Sequence, residues 1–314
     1  MTPEFSLIIP TFNRISALRR CFKHLQALRY PRELFEVILV DDGSDDATRD
    51  LKAEDFPLPL TIIHQANSGT AAARNVGIKA ARGLFCLFVD DDVMVHPDLL
   101  LEHHRLHLGQ ANLVVRGPVI NFSEPPCPLD EDFPASQLKE DSKLQRAWRR
   151  WSGQDPHMWQ HFSMNYLCTS NASLARCHLL AAGLFDTSFK RWEDAELAVR
   201  LKRLGLKRCF SLAAIVYHWK PQETWEKRLE TARKDGRSAA ELYLRYPSLK
   251  MRLRSGIHPL NLLRNRLLTQ FGPIRNLIEH SAQTADGPIP QGVAQNVLLE
   301  EAYLEAGLEA LSHL

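Results

Sequence analysis

The sequence predicts an α/β fold with a mostly parallel central sheet flanked by helices. Short, β-branched apolar runs alternate with helical patterns from Phe5 to Val89, and polar residues follow directly where the runs end. Such alternation favours parallel strands joined by right-handed crossovers, and sheets of this kind bind ligands outside the carboxyl ends of their strands. We therefore expect a ligand site at that edge of the sheet.

The first elements follow one another as strand, loop and helix. Each strand is a short run rich in Ile, Leu, Val or Phe, and the clusters PTFNR, DDGSDD and NSGT that follow the first three strands are typical of turns and helix caps. In chain order we predict a strand over 5–10, a helix over 17–28, a strand over 35–40, a helix beginning near Ala47, a strand over 60–64, a helix over 71–81 and a strand over 84–89.

The second half of the chain is less regular. Residues 121–165 are rich in Pro, acidic residues and Trp, and a connection of this length is often functional, so we expect an acceptor-side insertion over the site. Patterning resumes after it, with a helix opened by Glu193 and Asp194 and a strand that ends at His218. The predicted domains are residues 1–220, with the ligand site, and a helical C-terminal region over 221–314.

Composition bounds the protein class. The 314 residues are 45% hydrophobic and 24% charged, which is typical of a globular protein, and the net charge of +2 favours no nucleic-acid partner. No basic leader opens the chain and no apolar run approaches the roughly 18 residues of a membrane span, so we expect a cytoplasmic location.

Residues 245–275 carry seven Lys and Arg, no acidic residue and many leucines. This pattern suits a segment lying on the inner face of an anionic membrane. It also suits surface helices whose leucines pack on the catalytic domain while the arginines stay solvated, and that second reading is favoured.

Three consecutive acids, Asp90, Asp91 and Asp92, end the fourth strand. They repel one another unless a cation or several donors compensate, although an acidic turn before Pro97 is the competing interpretation. A bound Mg²⁺ or Mn²⁺ would take its remaining ligands from phosphate oxygens, which makes a diphosphate a natural substrate. His218 is the candidate imidazole ligand, which Mn²⁺ tolerates, unless it is an ordinary core or surface histidine.

Other polar residues suit a nucleotide and a proton transfer. Asp42 follows the second strand and offers acceptors for a base imide or ribose hydroxyls, or simply forms a turn. Arg74 suits oxygen acceptors of a nucleotide, with a solvated helical arginine as the alternative. Glu193 and Asp194 stand at the positive end of a predicted helix, where one of them can act as a general base or merely open the helix.

Five segments resemble, in order, the family 2 glycosyltransferases of GT-A fold. The resemblance spans roughly residues 5–218 and implies a Rossmann-like GT-A domain, a nucleotide-sugar donor that is usually a UDP-sugar, and inversion at the anomeric carbon. The segments are LIIPTFNR from Leu7, VDDGS from Val40, ARNVG from Ala73, DDD from Asp90 and WED from Trp192.

The resemblance also implies residue roles. It implies that nucleotide contacts come from Pro10, Thr11, Asn13, Arg14, Asp42, Arg74, Asp90 and Asp91. It implies that Asp92 is the direct metal ligand and that Asp90 contacts the ribose or the metal, while His218 stays the candidate imidazole ligand named above. It implies that Asp194, beside Glu193, is the catalytic base, and that Asn171 and Trp192 contact the donor sugar.

Relatives that polymerise sugars carry several membrane spans and a Gln-x-x-Arg-Trp motif, and this sequence has neither. We therefore expect transfer of a single sugar to a saccharide or lipid-linked acceptor, in a setting such as surface-glycan synthesis. A sugar-phosphate nucleotidyltransferase is an alternative, but a Gly-rich loop with a lysine is missing near the start. A non-catalytic binding module is another, but it would be expected to lack Asp92 or Asp194.

Overall fold

The structure is a computed structural model that describes residues 2–122, 166–219, 223–284 and 287–312. The predicted insertion, with Trp148, Trp151 and Trp159, therefore lies almost entirely outside the described residues. Internal contacts divide the chain into two compact units, which are Met1–Ser188 with Glu193–Pro221, and Phe189–Trp192 with Gln222–Leu314.

The described residues form ten strands and ten α-helices. The strands are β1 (Phe5–Thr11), β2 (Phe35–Asp41), β3 (Leu60–His64), β4 (Phe85–Phe88), β5 (Val93–Val95), β6 (Leu113–Arg116), β7 (Val119–Phe122), β8 (Ala172–Ala175), β9 (Lys207–Phe210) and β10 (Val216–Trp219). The helices are α1 (Ile15–Gln26), α2 (Thr70–Ala80), α3 (Leu99–His107), α4 (Arg176–Ala181), α5 (Glu193–Arg203), α6 (Trp225–Arg245), α7 (Leu249–Arg254), α8 (Pro259–Thr269), α9 (Gly272–Gln283) and α10 (Gln291–Ser312).

Seven strands form the main sheet, in the order β3-β2-β1-β4-β8-β6-β9. Only β8 runs antiparallel to its neighbours β4 and β6. Strands β1, β2 and β4 are buried along their whole length, as expected for parallel strands covered on both faces. The predicted α/β class with a mostly parallel sheet is confirmed, and so is the helical C-terminal region.

The strand register brings the polar segments to one edge of this sheet. Thr11 pairs with Asp41, which in turn pairs with His64 on the next strand. Toward the other side, Ala172 at the start of β8 pairs with Phe88 and with Arg116. The segments that follow β1, β2, β3 and β4 therefore meet at one edge with the segment that precedes β8.

A second sheet of three strands, in the order β5-β10-β7, explains the position of His218. In the antiparallel pair of β5 and β10, His218 lies opposite Val93, the residue after Asp92. The end of β10 is thereby placed beside the acidic triplet, although the two segments are far apart in sequence.

The helix predicted near Ala47 is wrong. Asp46 does cap the segment, since its side chain accepts a hydrogen bond from the Thr48 N–H at 2.9 Å. The chain then forms only short 3₁₀ turns, Ala47–Asp50 and Ala53–Asp55. The prolines in PLP, just before β3, disfavour helical backbone at the residues that precede them, Phe56 and Leu58.

The second unit is built on two long helices. In α6, a Cβ on Gly236 would lie 2.0 Å from the carbonyl oxygen of Tyr303 in α10, so only glycine permits this approach of the two backbones. Ala239, Ala240 and Leu304 are buried beside that contact. Among the described residues no helix is both long enough and apolar enough to span a bilayer.

We expect Gly236→Ala to lower the free energy of unfolding by about 1–3 kcal/mol, because the new methyl group would have to push two helix backbones apart. Gly292→Ala is the matched control, since a Cβ there meets nothing within 4 Å. The control should be neutral or stabilising by up to about 1 kcal/mol, because alanine is the better helix former. Urea titration measures both variants, and equal effects would contradict the proposed steric cause.

Candidate active site

Asn13 joins the loop after β1 to the loop after β2. Its backbone N–H donates to Ser44 Oγ at 2.9 Å, and its Oδ1 accepts from the Asp45 N–H at 2.8 Å. Asn13 has φ 55°, a left-handed conformation that asparagine tolerates better than most residues. Pro10 and Thr11 are buried at the end of β1. The predicted first wall of the nucleotide pocket is thus a braced pair of loops.

Asp42 organises the loop that leads into α2. Its buried carboxylate accepts from the N–H groups of Ser68 and Gly69, both at 2.8 Å, and from Gln65 Nε2 at 2.6 Å. Because a carboxylate has about four acceptor positions, these bonds leave little capacity for a nucleotide base. Gly69 has φ 91°, a conformation that side chains rarely adopt.

The three acids of the triplet point to different partners. Asp90 accepts from Arg74 Nη2 at 2.9 Å and from Ser170 Oγ. Asp91 is buried and accepts from Thr11 Oγ1 at 2.7 Å, and burial raises its pKa to about 7. Asp92 binds Arg14. The fold thus relieves much of the mutual repulsion with its own donors.

Asp92 also lies 3.0 Å from His218, between Oδ1 and Nε2. Burial raises the pKa of Asp92, but hydrogen bonds and charges from His218 and Arg14 outweigh that effect and lower it. These two candidate ligands therefore lie side by side in the structure, whereas Asp90 is turned toward Arg74.

Asp92 and His218 could supply only part of the coordination shell of a divalent cation. Across the described ranges, no three His, Cys, Asp or Glu side chains converge as a complete metal site. A carboxylate oxygen beside an imidazole nitrogen is a donor pair that Mn²⁺ accepts, with the remaining positions left for ligand oxygens.

Arg74 is not the solvated helical arginine of the alternative interpretation. Its side chain is only 4% exposed, and it donates to Glu193 Oε1 at 2.7 Å as well as to Asp90. A buried guanidinium is stable only when paired, and here both partners are carboxylates from distant segments. Arg74 therefore ties the triplet to the first turn of α5.

Asp194 differs from its neighbour Glu193. Glu193 is held by Arg74, whereas Asp194 is half-buried and accepts a hydrogen bond from the Ala195 N–H at 2.7 Å. Burial and the charge of Glu193 raise the pKa of Asp194 to about 6, against the opposing charges of Arg74 and Arg116. Of the two acids, Asp194 is the one suited to accept a proton near neutral pH.

Asn171 lies in the interior of the first unit, with no exposed surface. Its Nδ2 donates to the carbonyl oxygens of Ala214, at 2.8 Å, and Pro118, at 3.1 Å, while its Oδ1 lies 3.0 Å from His103 Nε2. Burial lowers the pKa of His103 to about 4, so this histidine is neutral. The amide of Asn171 is occupied by the fold itself, so a bracing role suits it better than a direct sugar contact.

Trp192 belongs to the second unit. It has φ 63°, and its indole N–H donates to Asp235 Oδ1 at 3.1 Å. Asp235 also binds Arg191 through Nε at 2.6 Å. These contacts hold the segment immediately before Glu193, and the predicted sugar contact of Trp192 stays a prediction.

The sequence patterns did not point to Arg116 or Gln65 as site residues. Arg116 is the last residue of the buried strand β6, and its charge lowers the pKa of Asp194. A charged residue that ends an apolar run was the signal that selected Asp42 and Asp90. Applied to LVVR at 113–116, the same rule would have found Arg116.

Comparison with known proteins agrees with this geometry. The family described as "Glycosyl transferase family 2" matches residues 6–166, which is half of the chain. The chain belongs to glycosyl transferase family 2. Among its relatives, an uncharacterized glycosyltransferase, YfnE from Bacillus subtilis, is 29% identical over 64% of this chain and 61% of its own length.

Another family 2 relative is validoxylamine A glucosyltransferase from Streptomyces hygroscopicus subsp. jinggangensis. It is 30% identical over 65% of this chain and 52% of its own length. The chain thus spans between about half and two thirds of these two curated relatives.

Solved structures show the same fold. A mannosyltransferase, PcManGT from Pyrobaculum calidifontis, described in complex with GDP-Man and Mn²⁺, aligns over 99% of this chain and 88% of its own with a TM-score of 0.69 and 17% identity. S. aureus TarS 1-349 in complex with UDP-GlcNAc aligns over 99% and 92% with a TM-score of 0.53 and 17% identity. These likenesses place this family 2 chain in the GT-A fold.

We expect Arg74→Met to lower the free energy of unfolding by about 3–5 kcal/mol, because it leaves Asp90 and Glu193 without their cation. Arg105→Met is the control, since Arg105 forms an exposed pair with Glu102 at 2.9 Å and should lose less than about 1 kcal/mol. Urea denaturation compares the two. Equal losses would show that the buried bridge contributes no more than a surface ion pair.

Proposed function

We propose that this protein is an inverting glycosyltransferase that moves a single sugar from a nucleotide-sugar donor to a hydroxyl of a saccharide or lipid-linked acceptor. The observation that carries the proposal is Asp194, a carboxylate with a raised pKa beside an acid that is already ion-paired. It stands in the first turn of α5, and Arg74 ties that turn to the triplet after β4.

The donor is proposed to bind outside the ends of β1, β2 and β4. Arg14 and the loop held by Asn13 supply the first wall, and Asp42 acts at the base mainly by shaping the loop that leads into α2. We favour a UDP-sugar on the family resemblance and on the UDP-GlcNAc complex of TarS, with GDP-Man, bound by PcManGT, as the comparison to test.

Asp92 and His218 are the residues proposed to hold Mn²⁺ or Mg²⁺. When bound, such a cation would neutralise charge on the departing diphosphate. Asp90 and Asp91 hold the triplet in place beside this pair, since Asp90 binds Arg74 and Asp91 binds Thr11.

Asp194 is proposed to accept the proton of the acceptor hydroxyl. As that oxygen attacks the anomeric carbon, its new bond forms on one face while the bond to the diphosphate oxygen breaks on the other, and the configuration inverts. The proton ends on Asp194, and the electron pair of the broken bond leaves with the nucleoside diphosphate. Glu193 stays paired with Arg74 and positions the turn.

The domain assignment follows the same proposal. Residues 1–220 form the transferase domain, with 121–165 choosing the acceptor, and 221–314 form the helical region. Asn171 braces the domain interior. We propose a cytoplasmic protein of surface-glycan synthesis that contacts the inner face of the membrane through residues 245–275. Membership of the transferase family gives the nucleotidyltransferase and non-catalytic alternatives no support.

We expect Asp194→Asn to lower kcat by about 10²–10⁴-fold, the usual contribution of a general base, with nucleotide affinity unchanged. Glu193→Gln is the matched control and should lose less, because that carboxylate pairs with Arg74 instead of touching the acceptor. Screening nucleotide-sugars for transfer or slow hydrolysis supplies the assay. Full activity of Asp194→Asn would overturn its assignment as the base.

The pH dependence tests the same residue. Because the base works in its ionised form, kcat should be constant above pH 7 and fall as the pH drops through about 6, where Asp194 takes up a proton. Glu193→Gln removes a negative charge that raises this pKa, so its acid limb should move to lower pH. A limb that does not move would argue against the titration of Asp194.

Calorimetry tests nucleotide and metal together. We expect UDP to bind more tightly with Mn²⁺ than without it, and Asp92→Ala to lose this gain. Asp50→Ala serves as the control, because Asp50 is an exposed acid outside the site with a side chain 79% exposed. A parallel titration with GDP shows whether the protein prefers uracil or guanine as the nucleotide base. Absence of binding by either nucleotide would contradict the proposed donor class.

A further inference from the structure

Helix α8 exposes part of its apolar surface and buries two polar side chains. Three of its leucines point to solvent, with Leu260 72% exposed, Leu263 57% and Leu267 63%, whereas the polar residues Asn265 and Thr269 are buried. A helix at a protein surface ordinarily buries its apolar stripe and exposes its polar face. Leu262 and Leu268 of the same helix pack inward, so the folding of the second unit accounts for those two but not for Leu260, Leu263 and Leu267.

The buried polar residues of α8 have partners within the unit. Asn265 Nδ2 donates to the carbonyl oxygen of Val297 in α10 at 3.4 Å, and Thr269 Oγ1 donates to the carbonyl oxygen of Asn265 at 3.0 Å. These contacts fix the polar face inward and keep the leucine stripe outward.

Further apolar side chains of the same segment are exposed. Leu249 and Leu253 of α7 are 75% and 53% exposed, and Phe271, just after α8, is 59% exposed. Single exposed apolar residues are normal, but a stripe at i, i+3 and i+7 with further exposed neighbours marks an interaction surface. We define the leucine face as Leu249, Leu253, Leu260, Leu263, Leu267 and Phe271.

The segment that carries the leucine face is basic. Residues 245–275 hold seven Lys and Arg and no Asp or Glu. At about 100° per residue, Arg264 and Arg266 flank the leucine stripe of α8 on its two sides. Arg264 pairs with Glu300, whereas Lys250, Arg252 and Arg266 are exposed and form no ion pair within the described residues.

We propose that the leucine face lies in the surface of a bilayer rich in anionic lipid, with the leucines among the acyl chains and the flanking basic side chains at the phosphates. Basic residues beside an apolar helical stripe are the pattern of helices that bind in the plane of a membrane, and long basic side chains reach upward to the headgroups. A second copy of this chain is less suited, because it would bring like charges together.

This inference rests on the proposed function only for the biological role of membrane binding, which is to bring the enzyme to a lipid-linked acceptor. It goes further than the proposed contact, because it specifies the face, the lipid charge and the residues that enter the bilayer. The binding itself needs neither donor nor acceptor.

The test is flotation of the full chain with vesicles of phosphatidylcholine, alone or mixed with phosphatidylglycerol. Binding is expected only with the anionic lipid. The triple variant Leu260→Ser, Leu263→Ser, Leu267→Ser should weaken binding by about 10-fold or more, since it removes the inserted side chains. The matched control replaces Leu84, Leu108 and Leu204, which are exposed in the first unit, by Ser and should bind like the wild type.

A second set separates charge from apolar insertion. Each of Lys250→Gln, Arg252→Gln and Arg266→Gln should weaken binding by about 5-fold, and added salt should reduce the difference. Circular dichroism verifies that every variant is folded. Equal binding by the leucine variant and its control overturns the proposal. The proposal is also overturned if the wild type sediments as a dimer, the leucine substitutions convert it to a monomer, and neither form binds vesicles.

The outcomes distinguish this inference from the proposed reaction. A wild-type chain that binds nucleotide but does not bind anionic vesicles rejects the leucine face and leaves the transferase. Vesicle binding with no nucleotide affinity supports the leucine face and rejects the donor.

Discussion

The buried guanidinium of Arg74 is the interaction on which the candidate active site depends. A cation that is 4% exposed must be neutralised by neighbours, and here Asp90 and Glu193 do so from segments that are about a hundred residues apart. The bridge fixes the triplet and the first turn of α5 relative to each other. It also occupies Glu193, so that Asp194 is the acid left to take part in proton transfer.

The triplet shows how one short motif can serve several purposes. A run of like charges at a strand end would be unstable if all its members faced the same way. The strand end instead turns one acid inward to Thr11, one toward Arg74 and one toward Arg14 and His218. Only the third is directed to a second potential metal ligand, and the separation of roles follows from where the neighbouring elements supply donors.

The second unit combines a well-packed interior with an unusual exterior. Close backbone approach at Gly236 and small residues such as Ala239 and Ala240 let α6 and α10 pack tightly. Against these helices, α8 buries asparagine and threonine and leaves leucines outside. Leu262 and Leu268 do pack inward, so the unit covers only part of the apolar surface of α8 and leaves Leu260, Leu263 and Leu267 exposed.

The amino-acid sequence alone determined the fold class and most candidate residues, because strand periodicity and polar strand ends are local signals. It indicated Asp92 and His218 as candidate ligands of one metal but not the cause of their proximity, which is the register of β10 against β5. The residues by themselves left Glu193 and Asp194 equivalent, and the family resemblance selected Asp194. The physical reason came from the tertiary structure, because the distant Arg74 pairs with Glu193. The sequence favoured leucines packed against the catalytic domain, whereas Leu260, Leu263 and Leu267 are exposed, because a helical repeat sets the spacing of a stripe while packing decides which side of the helix is buried.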